Sequence, residues 1–138
     1  MIDFEQAFCE DKSLAAAITS DPVDFHQAAP NAGGWDERLY ALAFFPTKGS
    51  GAGTVTFTLQ DSADNKTYTD VLATGPIVGS DLVAPVAIPL PLKHRRYLRV
   101  KTSLSGTVAG TASIFLADAA NLPMDSKVQG IDIVPTVD

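Results

Sequence analysis

Thr54-Val55-Thr56-Phe57-Thr58-Leu59 alternates hydroxyl-bearing and apolar side chains over six positions. A period of two belongs to a strand with one face on a core, so Val55, Phe57 and Leu59 are expected to point inward. Upstream, Gly49-Ser50-Gly51-Ala52-Gly53 follows the aromatic-rich run Arg38-Leu39-Tyr40-Ala41-Leu42-Ala43-Phe44-Phe45, which stops at Pro46. Strand, flexible glycine loop and strand in that order predict an antiparallel hairpin with a long connection. No lysine followed by Ser or Thr closes the glycine run and no helix signal follows, so phosphate cradling is not implied. Downstream, Gln60-Asp61-Ser62-Ala63-Asp64-Asn65-Lys66 holds side chains that bond to turn backbone, which predicts a hairpin turn into a strand over 67–72. The acids of this turn lack the alternating oxygen ligands and closing Glu of a helix-loop-helix calcium site.

Pro76, Pro85, Pro89 and Pro91 punctuate the next stretch. Proline donates nothing to a ladder, so a strand over 84–90 is expected at a sheet edge. Tyr97-Leu98-Arg99-Val100-Lys101-Thr102 is a further strand, with Leu98 and Val100 on one face and Tyr97, Arg99 and Lys101 on the other. Thr111 to Ala117 is the last clear strand of the body. Ala15-Ala16-Ala17 has helix propensity, but Ile18-Thr19-Ser20 and Pro22 cut it short, and a strand over 14–19 fits as well. One helical turn over 117–122 is the other helix candidate. About seven or eight short strands without alternating helices predict an all-β, single-domain antiparallel β-sandwich or jelly roll.

The chain has 138 residues, enough for one core without a metal or disulfide staple. Cys9, the single cysteine, excludes an intramolecular bridge and a multi-cysteine zinc site, and is expected as a half-buried apolar side chain. A hydrophobic content of 46% with 19% charge is that of a folded chain, and a net charge of −6 disfavours direct nucleic-acid binding. No basic run with an apolar core suggests a cleaved signal, and no stretch approaches a membrane span, so a soluble protein is expected. Residues 1–13 read as an acidic N-terminal arm, 14–120 as the sandwich domain and 121–138 as a tail. Ile131, Ile133 and Val134 form a short apolar run in that tail, which fits either a strand added to a partner's sheet or packing on its own sheet.

Little supports catalysis. Only His26 and His94 are available, 68 positions apart, with no Gly-x-Ser-x-Gly turn and no metal-ligand spacing. His94 lies among Lys93, Arg95 and Arg96, whose charge is expected to disfavour the imidazolium. Five of the ten basic residues fall between positions 93 and 101. This cluster suits an acidic partner surface, or else a solvated strand face paired to nearby acids. Trp35, in a glycine-containing loop, is a candidate interface anchor or sugar platform, and otherwise closes an end of the sandwich.

Phe8-Cys9 and Ala17-Ile18-Thr19-Ser20 behind an acidic start, the strand from Thr54 to Leu59 running into Gln60-Asp61-Ser62-Ala63-Asp64, Tyr68-Thr69-Asp70-Val71, Pro89-Leu90-Pro91 and Arg96-Tyr97-Leu98-Arg99-Val100 come in an order that resembles the tailed-bacteriophage capsid cement proteins, typified by the Bordetella phage cement protein. The resemblance covers about residues 3 to 120. It implies a jelly-roll β-sandwich with extended arms, a homo-oligomer with a dimer favoured over a trimer, and a place on the outer surface of an icosahedral head. There it would bind major capsid protein and cement neighbouring subunits against DNA pressure, without cofactor or catalysis. The residues expected to make those contacts are Phe4 and Phe8 as apolar anchors, Trp35, the cations Lys93, Arg95 and Arg99, and Ile131 and Ile133 of the tail. The alternative function is a carbohydrate- or ligand-binding β-sandwich module, for which Trp35 would be the platform.

Overall fold

The computed structural model describes residues 7–25, 39–90, 94–118, 127–128 and 131–133. They form eleven strands: β1 (Ala7–Ser13), β2 (Val23–Asp24), β3 (Leu39–Phe44), β4 (Thr54–Ser62), β5 (Thr69–Thr74), β6 (Ile77–Val78), β7 (Val86–Pro89), β8 (Tyr97–Ser105), β9 (Thr111–Asp118), β10 (Lys127–Val128) and β11 (Ile131–Ile133). Their only helical piece is a 3-10 turn at Gly79–Asp81. The first sheet has the order β1-β9-β3-β7-β10 and the second β11-β5-β4-β8-β2, with β6 also on β4. All pairings are antiparallel except that of β10 on β7. The protein is therefore all-β, as the strand count predicts.

The alternating stretch behaves as its pattern demands. Val55, Phe57 and Leu59 are buried between the sheets while Thr54, Thr56 and Thr58 stay partly exposed. Across the core they meet residues of the first sheet such as Phe8, Ala41, Ile88 and Ile114, and all belong to one apolar cluster. Each such side chain contributes about 1.5–3 kcal/mol when fully buried. Beyond Leu59 the alternation fails: the β4–β5 register shifts between Leu59 and Gln60, and Gln60, Asp61 and Ser62 are all buried. Their partners cover them: Gln60 bonds to Arg99 and Asp70, Asp61 to Arg95, and Ser62 to Asp64. The first sheet is apolar on its second face too, where Leu42, Ala87 and Ala117 cluster with Tyr40 and Phe44.

Several sequence expectations are corrected here. β3 and β4 are not a hairpin: β3 pairs with β7 and β9, while β4 pairs with β5, β6 and β8, so the glycine run crosses from one sheet to the other. Nor is that run a loose loop. Gly49 N–H donates to Leu82 O at 2.8 Å, Ser50 exchanges backbone bonds with Ala109, and Gly53 N–H donates to Thr107 O at 3.0 Å. Three connections meet backbone to backbone at this end, and a Cβ on Gly49 would sit 2.5 Å from Leu82 Cβ and closer still to Gly79 O. Gly110, at φ +113, lies against Lys48 O in the same junction.

The strand expected over 14–19 is instead a turn at 14–16 followed by a single bridge from Thr19 to Lys101. The reason is competition for β8: Ser20 N–H donates to Val100 O and Thr102 N–H to Ile18 O, so this segment runs along the β8 edge towards β2. The proline-rich strand, β7, lies between β3 and β10 rather than at an edge. From Ala7 onward, the stretch read as an arm is the edge strand β1 on β9. Two register shifts and Asp11 at φ +47 interrupt β1, and Glu10, Asp11 and Lys12 are exposed. Bulges and charges of this kind keep an edge from pairing with a stranger. The helical turn considered over 117–122 lies largely outside the described residues; up to Asp118 the chain is β9.

Candidate functional site

Of the predicted polar contact residues, Arg99 stands on the outer face of the second sheet and Arg95 just precedes its strand β8. On β8 every second residue leaves the core, and Tyr97, Arg99, Lys101, Ser103 and Ser105 stand opposite Ser62, Gln60, Thr58, Thr56 and Thr54 of β4. The two strands thus present a row of hydroxyls that becomes basic towards Arg99.

The basic cluster divides into three different environments. Arg95 grips Asp61: its backbone N–H donates to Oδ2 at 2.9 Å, its Nε and Nη2 to Oδ1 at 3.0 and 2.8 Å. Arg96 forms a fork on Asp24, at 2.7 and 2.9 Å, which fastens β2 to the start of β8 and raises the guanidinium's affinity for its proton. Arg99 has no carboxylate partner among the described residues. Its Nε donates to Gln60 Oε1 at 2.8 Å and its guanidinium lies 3.8 Å above the Tyr68 ring. Gln60 in turn donates through Nε2 to Asp70 Oδ1 at 2.6 Å. Tyr68, whose hydroxyl donates to Asn65, keeps its proton to higher pH because it is partly buried, an effect that the Arg99 charge opposes.

Beside this face the β4–β5 turn is closed by Asp64. Its carboxylate accepts from the backbone N–H groups of Lys66 and Thr67 and from Ser62, which brings its pKa down to about 2. These bonds are those of a hairpin turn joining β4 to β5.

His94 closes the sheet at the other side. The ring is 5% exposed, rests edge-on against Phe25 at 4.5 Å, and pairs through Nδ1 with Arg95 O at 2.6 Å. That carbonyl requires the proton on Nδ1, which leaves Nε2 buried without a partner among the described residues. The pKa lies below its ordinary value, mainly because burial disfavours the cation, with the Arg95 carbonyl and Asp61 opposing. The expected direction holds, and its leading cause is burial rather than the neighbouring cations. Since the unfolded ring takes up a proton near pH 6.5 and the folded one only at lower pH, stability is full above about 6.5 and declines as pH falls beneath it. Asp64 contributes its loss only below about 4, from the opposite kind of group. Urea unfolding at pH 7.5 and 5.0 is expected to show this loss, and His94→Leu to flatten it; an unchanged pH slope in the variant would contradict the assignment.

The remaining predicted contact residues separate. Phe8 is fully buried in the core, so it is a packing residue and has no surface to offer a partner; Cys9 beside it is also buried. Phe4, Trp35 and Lys93 lie outside the described residues. Ile131 and Ile133 belong to β11, opposite Thr74 and Leu72 of the chain's own β5. Tyr68 and Gln60 are not among the contact residues the sequence points to, and Lys101 enters there only as part of the basic cluster over 93–101. Lys101 was discoverable, since it shares the period-two face with Arg99, but the neighbours supplied by β4 and by the turn before β5 follow only from register.

Comparison with known proteins adds one match. A family model described as Bbp16, a family named after a Bordetella phage protein, aligns with residues 10–117. No curated protein matches.

Proposed function

The chain belongs to the Bbp16 family, and from that premise we propose that it is a structural protein of a tailed-phage particle that binds the outside of the icosahedral head and cements neighbouring major capsid subunits. The observation that carries this is the extent of the family match, which runs from within β1 to within β9 and so takes in the body of both sheets. On this reading the fold is a jelly-roll sandwich, the working unit is a homo-oligomer, and no bond is made or broken in a substrate.

Physical features of the chain suit such a role. Binding-only function asks for a stiff body, and here the connections interlock backbone to backbone while Arg95 and Arg96 tie distant segments together. A ligand that binds the assembled shell and not free subunits stabilises assembly by mass action, about 2.7 kcal/mol per site at a hundredfold excess over Kd. An oligomer multiplies modest contacts by engaging several sites together. The test is add-back to undecorated heads: the protein should co-sediment in fixed stoichiometry and raise the temperature at which packaged DNA is released. Heads that ignore it, or mature particles that lack it, would overturn the proposal.

A further inference from the structure

We propose that the Arg99–Lys101 step of β8 is the docking point for an acidic, extended loop of the shell protein, one with carboxylates on alternate residues. The inference rests on the capsid-binding reading above and specifies the chemistry of its contact.

Arg99 is arranged as a receptor with no ligand of its own. The Tyr68 ring supports the guanidinium plane at 3.8 Å, Gln60 holds Nε at 2.8 Å, and Asp70 fixes Gln60 from the far side. A guanidinium held in this way has already given up its rotamer freedom, so a carboxylate gains a fork-shaped donor at reduced entropic cost. The contrast with its neighbours is direct: Arg95 and Arg96 have the same side chain and both are occupied by carboxylates. Lys101 is exposed two residues further on the same face, opposite Thr58. Alternate residues of a strand lie about 6.6–6.8 Å apart, the same repeat as alternate side chains of an extended ligand.

The surroundings select the kind of partner. Thr56 with Ser103 and Thr54 with Ser105 continue the face as hydroxyls, which hydrogen-bond a polar loop and give an apolar surface of a second copy little to bury. Asp70 and Asp64 lie on the β5 side of the patch, and Asp24 of β2, beyond β8, is held by Arg96, so a negative segment is admitted along Lys101 towards Ser105. With the chain at −6 overall, these two cations attract acid locally while long-range attraction to nucleic acid is absent.

The experiment is co-sedimentation of the full-length chain with undecorated heads at low and physiological salt. R99E/K101E is expected to bind at least tenfold more weakly, K101E alone severalfold more weakly, and R99K between R99E/K101E and wild type. K66E, on the exposed β4–β5 turn, should bind as wild type does. Wild-type binding should weaken as salt rises, and the double variant should have lost most of that dependence. Because Arg99→Glu gives up the Tyr68 stack, K101E provides the measurement that does not depend on that contact. If wild type binds heads and folded K101E and R99E/K101E bind equally well, the docking assignment is overturned and the cement function stands. If wild type does not bind heads, both fall. Loss of the oligomer in the variants by light scattering, or charge-dependent capture of duplex DNA by wild type, would likewise overturn the choice of an acidic loop as occupant.

Discussion

A Gly49→Ala chain is expected to be destabilised by about 3 kcal/mol, a fall in melting temperature of roughly 10 °C. The methyl group has nowhere to go. It would meet Gly79 O and, at 2.5 Å, Leu82 Cβ, a backbone atom and a first side-chain atom that no rotamer change can withdraw. Relief requires the connection before β4 to part from the 3-10 turn, which stretches the Gly49 to Leu82 hydrogen bond and disturbs Leu82, a fully buried side chain. Gly75→Ala is the control, because a Cβ there meets nothing within 4 Å. It should be neutral or stabilising by up to about 0.5–1 kcal/mol through the unfolded chain. Thermal melts of the two variants decide the matter: equal melting temperatures would show that the junction is not tightly packed.

The second large effect is expected at Asp61. Asp61→Ala removes the acceptor of three bonds from Arg95 and leaves a part-buried backbone N–H without a partner. Breaking a buried pair from one side costs about 3–5 kcal/mol, and since the Arg95 side chain is 43% exposed against 10% for Asp61, about 2–3 kcal/mol is expected. Asp61→Asn retains an acceptor for the backbone and should cost less. Urea unfolding with an unchanged m-value measures both. Asp61 also acts on His94, whose proton affinity its charge supports. In Asp61→Asn the imidazole should therefore titrate at still lower pH, followed by its ring-proton NMR shift. A titration that does not move would separate the two residues.

Local pattern made the strands legible and left their company hidden. β4 and β8 announce themselves because one half-buried face writes a period of two, and Val55, Phe57, Leu59, Leu98 and Val100 are all in the core. That β3 should leave β4 for β9 depends on which apolar faces fit between the two sheets, information held in residues far apart. Glycines 49, 51 and 53 suggested looseness, since composition does not reveal a second backbone pressed against the first. Phe8 reads as an apolar anchor of an N-terminal arm; its strand instead turns it into the core while Glu10 and Asp11 face water. The basic run dissolved for a similar reason. Arg95 and Arg96 find Asp61 and Asp24, 34 and 72 positions away, and only register shows that, of the three arginines, Arg99 is without a carboxylate among the described residues.

The position of β1 has a consequence for synthesis. Its sheet partner is β9, and Cys9 meets Ala112 across 103 residues of chain. At ribosomal speeds of about 5–20 residues per second the wait is roughly 5 to 20 s. Throughout it Phe8 and Cys9 are uncovered on a growing polypeptide, often with siblings emerging from the same message nearby. Glu10, Asp11 and Lys12 then act as gatekeepers, holding identical nascent strands apart by charge until the rightful neighbour is translated.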